Sequence, residues 1–291
     1  MKRIAVLTVV LGAAFCAWAL LPAPYATPLP APPADDDMEN PRYLLAGQAD
    51  EAIAAGDYEA AAARLLEAIS LAPDDPSNVL LLSNLGMVYS CQDRDSLALA
   101  TLDEALRRAP AMTTVHANRA RVLLKMGRDG EAFGAYGRVL QSDSLNAEAR
   151  YYHGMIALYG GDAATAAADF GVLRDTDPLG LPTARAMATL LSLTGRDSDA
   201  VPYFQRLITE EPLAEYYAAL AGCYLSEGRL TEASATLGDA FARYPADPEL
   251  YYYRAWLRRD QFRLDDARAD ARRAVELGFP RRRAEQLFND R

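Results

Sequence analysis

Hydrophobic and polar residues alternate along most of this chain with the period of an amphipathic helix. The stretch from Gly56 to Pro76, GDYEAAAARLLEAISLAPDDP, opens with a turn signal, continues as one such helix and ends at prolines. A closely similar stretch, GRLTEASATLGDAFARYP, returns at Gly228 to Pro245. Alanine and leucine dominate and β-branched residues are sparse, so the pattern predicts an all-α protein built from repeated helices.

Small residues recur in this pattern at nearly constant intervals. One column is always alanine: Ala61, Ala98, Ala132, Ala166, Ala200, Ala233 and Ala267. Twelve positions earlier stands a second tiny residue: Ala49, Gly86, Ala120, Gly154, Ala188, Ala221 and Ala255. Five positions earlier stands, in most cases, a turn former: Gly56, Asp93, Gly127, Gly161, Gly195, Gly228 and Phe262. Twelve positions later, proline occurs in most units: Pro73, Pro110, Pro178, Pro212 and Pro245.

These columns resemble the tetratricopeptide repeat, a helix–turn–helix unit that recurs every ~34 residues. The resemblance implies a right-handed α-solenoid of about seven repeats, in which the tiny columns let paired helices approach closely and neighbouring repeats stack. The chain departs from the family pattern at Ser144 (no proline), Phe262 (no turn glycine) and Ala271 (no large core residue). The predicted repeats cover residues 41–75, 79–112, 113–146, 147–180, 181–213, 214–247 and 248–279, and residues 280–291 are predicted to form a capping helix.

The N-terminal stretch 1–21, MKRIAVLTVVLGAAFCAWALL, has the layout of a secretory signal with an A-x-A cleavage pattern at Ala17 to Ala19. The apolar run is also long enough for an uncleaved membrane anchor. A lipoprotein reading, through Cys16, is disfavoured because Phe15 precedes the cysteine. The signal and the anchor both predict an exported protein, periplasmic or membrane-anchored and facing the periplasm. Residues 22–40 are predicted to be a proline-rich linker.

Charge and motif content argue against several functional classes. The net charge of −10 predicts no nucleic-acid partner. His116 and His153 lie in different repeats, and no metalloprotease, hydrolase or phosphate-loop motif occurs. Cys91 and Cys223 also lie in distant repeats and are not expected to pair. We therefore expect no catalytic site, no cofactor and no metal.

The resemblance also implies where a partner would bind. In this family the first helices line the concave face, and its outward positions contact a peptide or a partner helix. The lysines of the family's carboxylate-clamping members are missing here, so that specific function is not implied. Carried over position by position, the partner-binding residues would be Asn84, Met87, Asn118, Arg121, Tyr152, Met155, Tyr159, Arg185, Thr189, Tyr252 and Trp256. Glu148, by contrast, is expected to be exposed, so that a bulky residue in its place should cost little stability.

The C-terminal end differs electrically from the rest of the chain. From Arg254 onward there are eleven arginines against seven acidic residues. Two interpretations stay open: a solvated cap whose helix faces carry ion pairs, or a patch of Arg281, Arg282 and Arg283 that binds an anionic partner or lipid headgroups.

The sequence thus predicts a non-enzymatic scaffold of the bacterial cell envelope that binds a protein or peptide along its concave face. The alternative is a membrane-tethered assembly factor, or a subunit of a secretion or polysaccharide-export complex, whose ends and convex face matter more. An enzyme is disfavoured because the residues for catalysis are not brought together by any motif.

Overall fold

The computed structural model describes residues 40–289, and within this range the chain is helical, with no strand. The predicted leader and all of the linker except Asn40 lie outside the described residues. No helix in the described range is long and apolar enough to cross a membrane. The helices are α1 (Pro41–Ala54), α2 (Tyr58–Leu71), α3 (Asn78–Cys91), α4 (Asp95–Arg108), α5 (Thr113–Lys125), α6 (Asp129–Ser142), α7 (Ala147–Tyr159), α8 (Ala163–Thr176), α9 (Leu181–Leu193), α10 (Asp197–Glu210), α11 (Ala214–Ser226), α12 (Leu230–Arg243), α13 (Pro248–Asp260), α14 (Leu264–Glu276) and α15 (Arg281–Asn289).

The helices pack as consecutive pairs within two compact units, residues 40–156 and residues 157–289. In the first unit α1 packs on α2, α3 on α4 and α5 on α6, and each pair also contacts the next. In the second unit α9 packs on α10, α11 on α12 and α13 on α14, and α15 packs on α14. The predicted fold class, an α-solenoid of stacked helix pairs, is confirmed.

The tiny columns lie where the paired helices approach each other. All seven alanines of the first column are fully buried. A Cβ atom added to Gly86 would lie 2.7 Å from the Cγ atom of Leu102 and 3.3 Å from the carbonyl oxygen of Ala98. Because that distance is too short for a real contact, only glycine lets α3 approach α4 this closely. The alanine-rich helices are therefore contact surfaces within the hairpins.

The turn between the two helices of each pair has one conformation in all seven repeats. The seven residues of the turn-former column, one in each repeat, all have φ between +58° and +89°. The next residue donates its backbone N–H to the carbonyl five positions back, as Arg94 does to Tyr89 at 2.9 Å and Arg263 to Arg258 at 2.8 Å. This bond satisfies a carbonyl at the end of the first helix. Glycine adopts this left-handed conformation without strain, whereas Asp93 and Phe262 hold it with a side chain.

A large side chain fills the space between the helices four positions after each column alanine. Its members in the first six repeats are all buried: Leu65, Leu102, Tyr136, Phe170, Phe204 and Leu237. Ala271 stands in this position in the seventh repeat, as its sequence indicated. Beyond it, Ala284 and Leu287 of α15 are buried against the last pair. The second helix of the seventh repeat is therefore packed with less apolar volume than the others.

Candidate protein-binding face

Each unit presents a surface made of successive first helices. In residues 40–156, α3 contacts α5, and in residues 157–289, α11 contacts α13. We call this surface, formed by the side chains of α1, α3, α5, α7, α9, α11 and α13, the first-helix face and describe it separately for each unit. The predicted partner-binding residues all belong to these helices.

In residues 40–156 a polar network connects three first helices. Asn118 of α5 donates its Nδ2–H to Ser83 Oγ of α3 at 2.9 Å. Arg121 donates to Asn118 Oδ1 at 2.7 Å and, through Nε, to Glu148 Oε1 of α7 at 2.6 Å. A second Arg121 nitrogen contacts the other Glu148 oxygen, so the ion pair is bidentate. Arg121 is thus held in one position while about a quarter of its side chain, 28%, stays exposed.

Glu148 corrects one expectation from the sequence. Its side chain is only 31% exposed, because Arg121 binds both of its oxygens. The buried hydroxyl of Tyr136 also donates to Glu148 Oε1, at 3.4 Å. Burial and the nearby carboxylate together raise the pKa of Tyr136 well above its usual range. Glu148 therefore belongs to the network and is not a neutral surface position.

The other predicted residues of this unit are buried between the helices. Tyr152 stacks on Tyr136 with 5.4 Å between ring centroids. Asn84, Met87, Asn118, Tyr152 and Met155 are all less than 9% exposed. These side chains support the surface, and Arg121 is the predicted residue of this unit that solvent reaches most easily.

In residues 157–289 a second arginine is held in a similar way. Arg185 of α9 donates from Nε to the hydroxyl oxygen of Tyr216 in α11 at 2.7 Å. Another of its nitrogens forms an ion pair with Glu211. Thr189 is buried and donates to the backbone carbonyl of Arg185 at 2.8 Å. The Arg185 side chain is more deeply buried than that of Arg121, so its role in this structure is to join α9 to α11.

The aromatic candidates of this unit differ in accessibility. Tyr252 is buried, stacked on Phe279 with 4.5 Å between ring centroids. Trp256 is half-buried and donates from its indole nitrogen to Asp260 Oδ2 at 2.8 Å. Tyr159 is also half-buried. Of these three, Tyr159 and Trp256 present area that a partner could cover.

The structure shows one column of the face that the sequence reasoning missed. Glu148, Pro182, Glu215 and Glu249 occupy the same position in successive repeats and are all half-buried. Burial raises the pKa of Glu215, and it raises the pKa of Glu249 to about 7. Within the described range, Glu249 Oε1 and the neighbouring Tyr253 hydroxyl are buried without a hydrogen-bond partner. Extending the repeat register by one more column would have found these residues.

The three consecutive arginines near the C terminus do not share one environment. The guanidinium of Arg283 lies over the rings of Phe279 and Tyr252, 5.0 Å and 5.4 Å from their centroids. Arg281 and Arg282 are exposed. An anionic ligand would therefore meet Arg281 and Arg282 in a different setting from Arg283.

Other chemistry-bearing side chains are engaged in packing. His116 Nε2 lies 2.8 Å from the carbonyl oxygen of Pro110, and His153 stacks on Phe133 with 3.9 Å between centroids. Burial raises the pKa of the Cys223 thiol to about 12, so the thiol stays protonated at neutral pH. Between residues 40 and 289, no three His, Cys, Asp or Glu side chains are grouped so that they could hold a metal ion.

Comparisons with known proteins agree with the helix pairs. The model of the tetratricopeptide repeat family matches residues 47–113 and 224–278. A tetratricopeptide repeat protein from Parabacteroides merdae is similar over 86% of this chain and 98% of its own, with 23% identity and a TM-score of 0.64. PilW, described as a type IV pilus biogenesis factor, is similar over 73% of this chain and 97% of its own, with 19% identity and a TM-score of 0.62.

A third solved structure is YrrB, described as a repeat protein of this family with an unusual peptide-binding site. It is similar over 65% of this chain and 98% of its own, with 18% identity and a TM-score of 0.53. No curated protein sequence matches the chain. The solved structures are similar to this chain in fold, and the family model matches its sequence. Where the family model matches, at residues 47–113 and 224–278, the helix pairs of this chain are tetratricopeptide repeats.

Proposed function

We propose that this protein is a non-enzymatic scaffold of the bacterial cell envelope that binds a protein or a peptide along the first-helix face. Proteins of this family bind proteins or peptides, and YrrB is described as having a peptide-binding site. The envelope location is supported by the leader-like pattern of residues 1–21, which lie outside the described range.

The observation that carries the proposal is the Arg121–Glu148 pair. Both side chains are partly exposed and are fixed by a bidentate contact, with Asn118 and Tyr136 behind them. Arginine is enriched at protein interfaces and among the hot-spot residues near their centres. Because the pair is ordered before a partner arrives, little side-chain entropy is lost on binding. Such a pair suits a partner segment that carries both a carboxylate and a hydrogen-bond donor.

The alternative function is a tethered assembly factor of an envelope complex. PilW is described as a pilus biogenesis factor, and its likeness to this chain is one of fold. In this version the ends of the repeat array would carry the contacts, and substitutions on the first-helix face would leave assembly unchanged. The same substitution therefore tests both functions.

The test compares partner capture by wild-type full-length protein and by its Arg121→Glu variant. Each protein is immobilised, exposed to envelope extract, crosslinked and washed, and the captured proteins are identified by mass spectrometry. The matched control is Arg107→Glu, the same charge change at an exposed position of α4. We expect one protein to be captured by wild type and by the control, and to bind Arg121→Glu at least about fivefold more weakly.

Folding of each variant is checked by circular dichroism, since Arg121→Glu also removes an ion pair. The Glu148→Arg/Arg121→Glu double variant restores the pair with reversed direction and separates folding from recognition. If a partner binds wild type and Arg121→Glu equally while both are folded, the first-helix face at α5 is not the binding surface.

A further inference from the structure

A second surface lies between α14 and α15, and none of its lining residues belongs to the first-helix face. These two helices line an open cavity of about 520 Å³. Its apolar wall includes Ala271 and Val275 from α14 and Phe288 from α15. Its charged rim includes Arg268, Arg272 and Arg281. We call this cavity the α14–α15 groove.

The groove exists partly because of the residue at position 271. Every earlier repeat places a leucine, a tyrosine or a phenylalanine four positions after the column alanine, and each of these side chains is buried. The small side chain of Ala271 lines the α14–α15 groove instead. Atoms that line an unfilled groove lack packing contacts on one side, so a large apolar side chain of a partner would gain contacts there.

The register of α15 explains why the groove faces outward. A buried residue lies seventeen positions before the column alanine in the second repeat and in each later one. These residues are Leu81, Val115, Ala149, Thr183, Tyr216 and Leu250. Ala284 stands one full repeat after Leu250 and is buried too. The helix α15 therefore packs as the first helix of an eighth repeat. In α9–α10, α11–α12 and α13–α14 a second helix packs on the first, and within residues 40–289 no helix follows α15 to do so.

The rim of the groove has an excess of positive charge. Arg272 and Arg281 are exposed and form no ion pair within the described range, and Arg268 contacts only Asp265, at 3.6 Å. The two carboxylates of the lining are Glu276 and Glu285, and Glu276 is already paired with Arg273 at 2.9 Å. Among the described residues, two unpaired arginines of the rim, Arg272 and Arg281, therefore face one unpaired carboxylate, Glu285, and the long contact of Arg268 adds further positive charge.

We propose that the α14–α15 groove binds an amphipathic helix of a partner protein, which packs in the place of the second helix of an eighth repeat. One large apolar side chain of that helix fills the space above Ala271. Acidic residues on its flanks approach Arg268, Arg272 and Arg281. A concave cavity between two helices fits a side chain of a helix better than the flat surface of a bilayer, so the arginines here favour an acidic protein helix over lipid headgroups.

The probe for the test is a labelled, hydrocarbon-stapled peptide with the sequence of α2, YEAAAARLLEAISL, carrying Arg64→Glu. The helix is the second helix of its own repeat, it contains adjacent leucines, and with this change it carries three glutamates and no basic residue. Binding to the full-length protein is followed by fluorescence anisotropy. We expect saturable binding with a Kd below about 1 mM.

Two protein variants define the site. Arg268→Glu/Arg272→Glu should weaken binding at least about tenfold, and a peptide with lysine at its three charged positions should bind this variant better than it binds wild type. Ala271→Leu should abolish binding by filling the groove. The control Arg107→Glu/Arg138→Glu makes the same charge change at exposed positions of α4 and α6 and should bind like wild type.

Several results would overturn the proposal. The first is the absence of saturable binding. The second is equal weakening of binding by the control Arg107→Glu/Arg138→Glu, and the third is binding that does not depend on the charge of the peptide. Sedimentation velocity of wild type and of Arg268→Glu/Arg272→Glu tests a second copy as the occupant. Self-association that this variant abolishes would assign the groove to another molecule of this chain. The first-helix face is untouched in these variants, so failure here leaves the proposed function standing.

Discussion

The second repeat, α3 and α4, and the seventh repeat, α13 and α14, place different residues in the same columns. In α3 twelve of fourteen residues are buried, whereas in α13 only five of thirteen are. The core column, which lies four positions after the column alanine, has Leu102 in the second repeat and Ala271 in the seventh. The second repeat has helix pairs on both sides, while the short α15 alone packs beyond the seventh in the part of the chain that the structure describes. The repeat geometry therefore tolerates a small residue in the core column where fewer helices pack against the pair.

The largest expected effect is in the core column. Leu102 is fully buried, so Leu102→Ala should lower the free energy of unfolding by about 2–5 kcal/mol. Ala271→Leu makes the reverse change in the seventh repeat, where the adjacent groove has room for the larger side chain. It should leave stability unchanged or raise it by about 1 kcal/mol.

Urea unfolding followed by circular dichroism measures both variants. Ala166→Leu is the control for overpacking, because Ala166 belongs to the column of fully buried alanines. This variant should lose about 1–3 kcal/mol of the free energy of unfolding. If Ala271→Leu lowers the free energy of unfolding as much as Ala166→Leu does, the seventh repeat is packed as tightly as the others. The proposed difference between the second and seventh repeats would then be wrong.

The next effect concerns the column that holds Leu80 in the second repeat and Glu249 in the seventh. Burial raises the pKa of Glu249 from 4.5 to about 7, and Asp247 and Glu215 act in the same direction while Arg283 opposes them. The folded protein therefore binds this proton more tightly than the unfolded chain does. Stability from this group is full below pH 4.5 and is lost as the pH rises through about 7, by up to about 3 kcal/mol.

Glu249→Gln and Glu249→Leu should both flatten the dependence of stability on pH between 4.5 and 7 and should be more stable than wild type at about pH 8. The leucine variant introduces the residue type of the second repeat. Thermal unfolding across this pH range, with the exposed Glu59→Gln as control, measures the difference. A wild-type curve that runs parallel to those of both variants would contradict the raised pKa.

The repeat architecture could be predicted from the sequence because close helix contacts and left-handed turns admit few residue types. The tiny columns and the turn column both lie where that reasoning placed them. The candidate face could be predicted only in part. Asn84 and Asn118 lie on the expected helices but are buried, while Glu215 and Glu249 line the face unpredicted. Which column turns outward depends on the angle between successive first helices, and the period of the repeat does not encode that angle.

The smallest expected effect is in the turn column, where Asp93 and Phe262 replace glycine. Phe262 has φ of +61° and is 90% exposed, so its ring gains no burial that could offset the strain. A left-handed conformation costs a residue with a side chain about 1–2 kcal/mol. Glycine avoids this cost, but about 0.5–1 kcal/mol of the gain is lost because the unfolded chain is more flexible at a glycine. Phe262→Gly should therefore stabilise the protein by about 0.5–1 kcal/mol and raise the Tm by about 1–3 °C.

Asp93→Gly should not raise the Tm, because aspartate tolerates this conformation and its carboxylate accepts a hydrogen bond from Lys125 Nζ at 2.8 Å. Differential scanning calorimetry of both variants decides it: a fall in Tm for Phe262→Gly, or an equal rise for Asp93→Gly, would show that turn strain does not distinguish the two repeats.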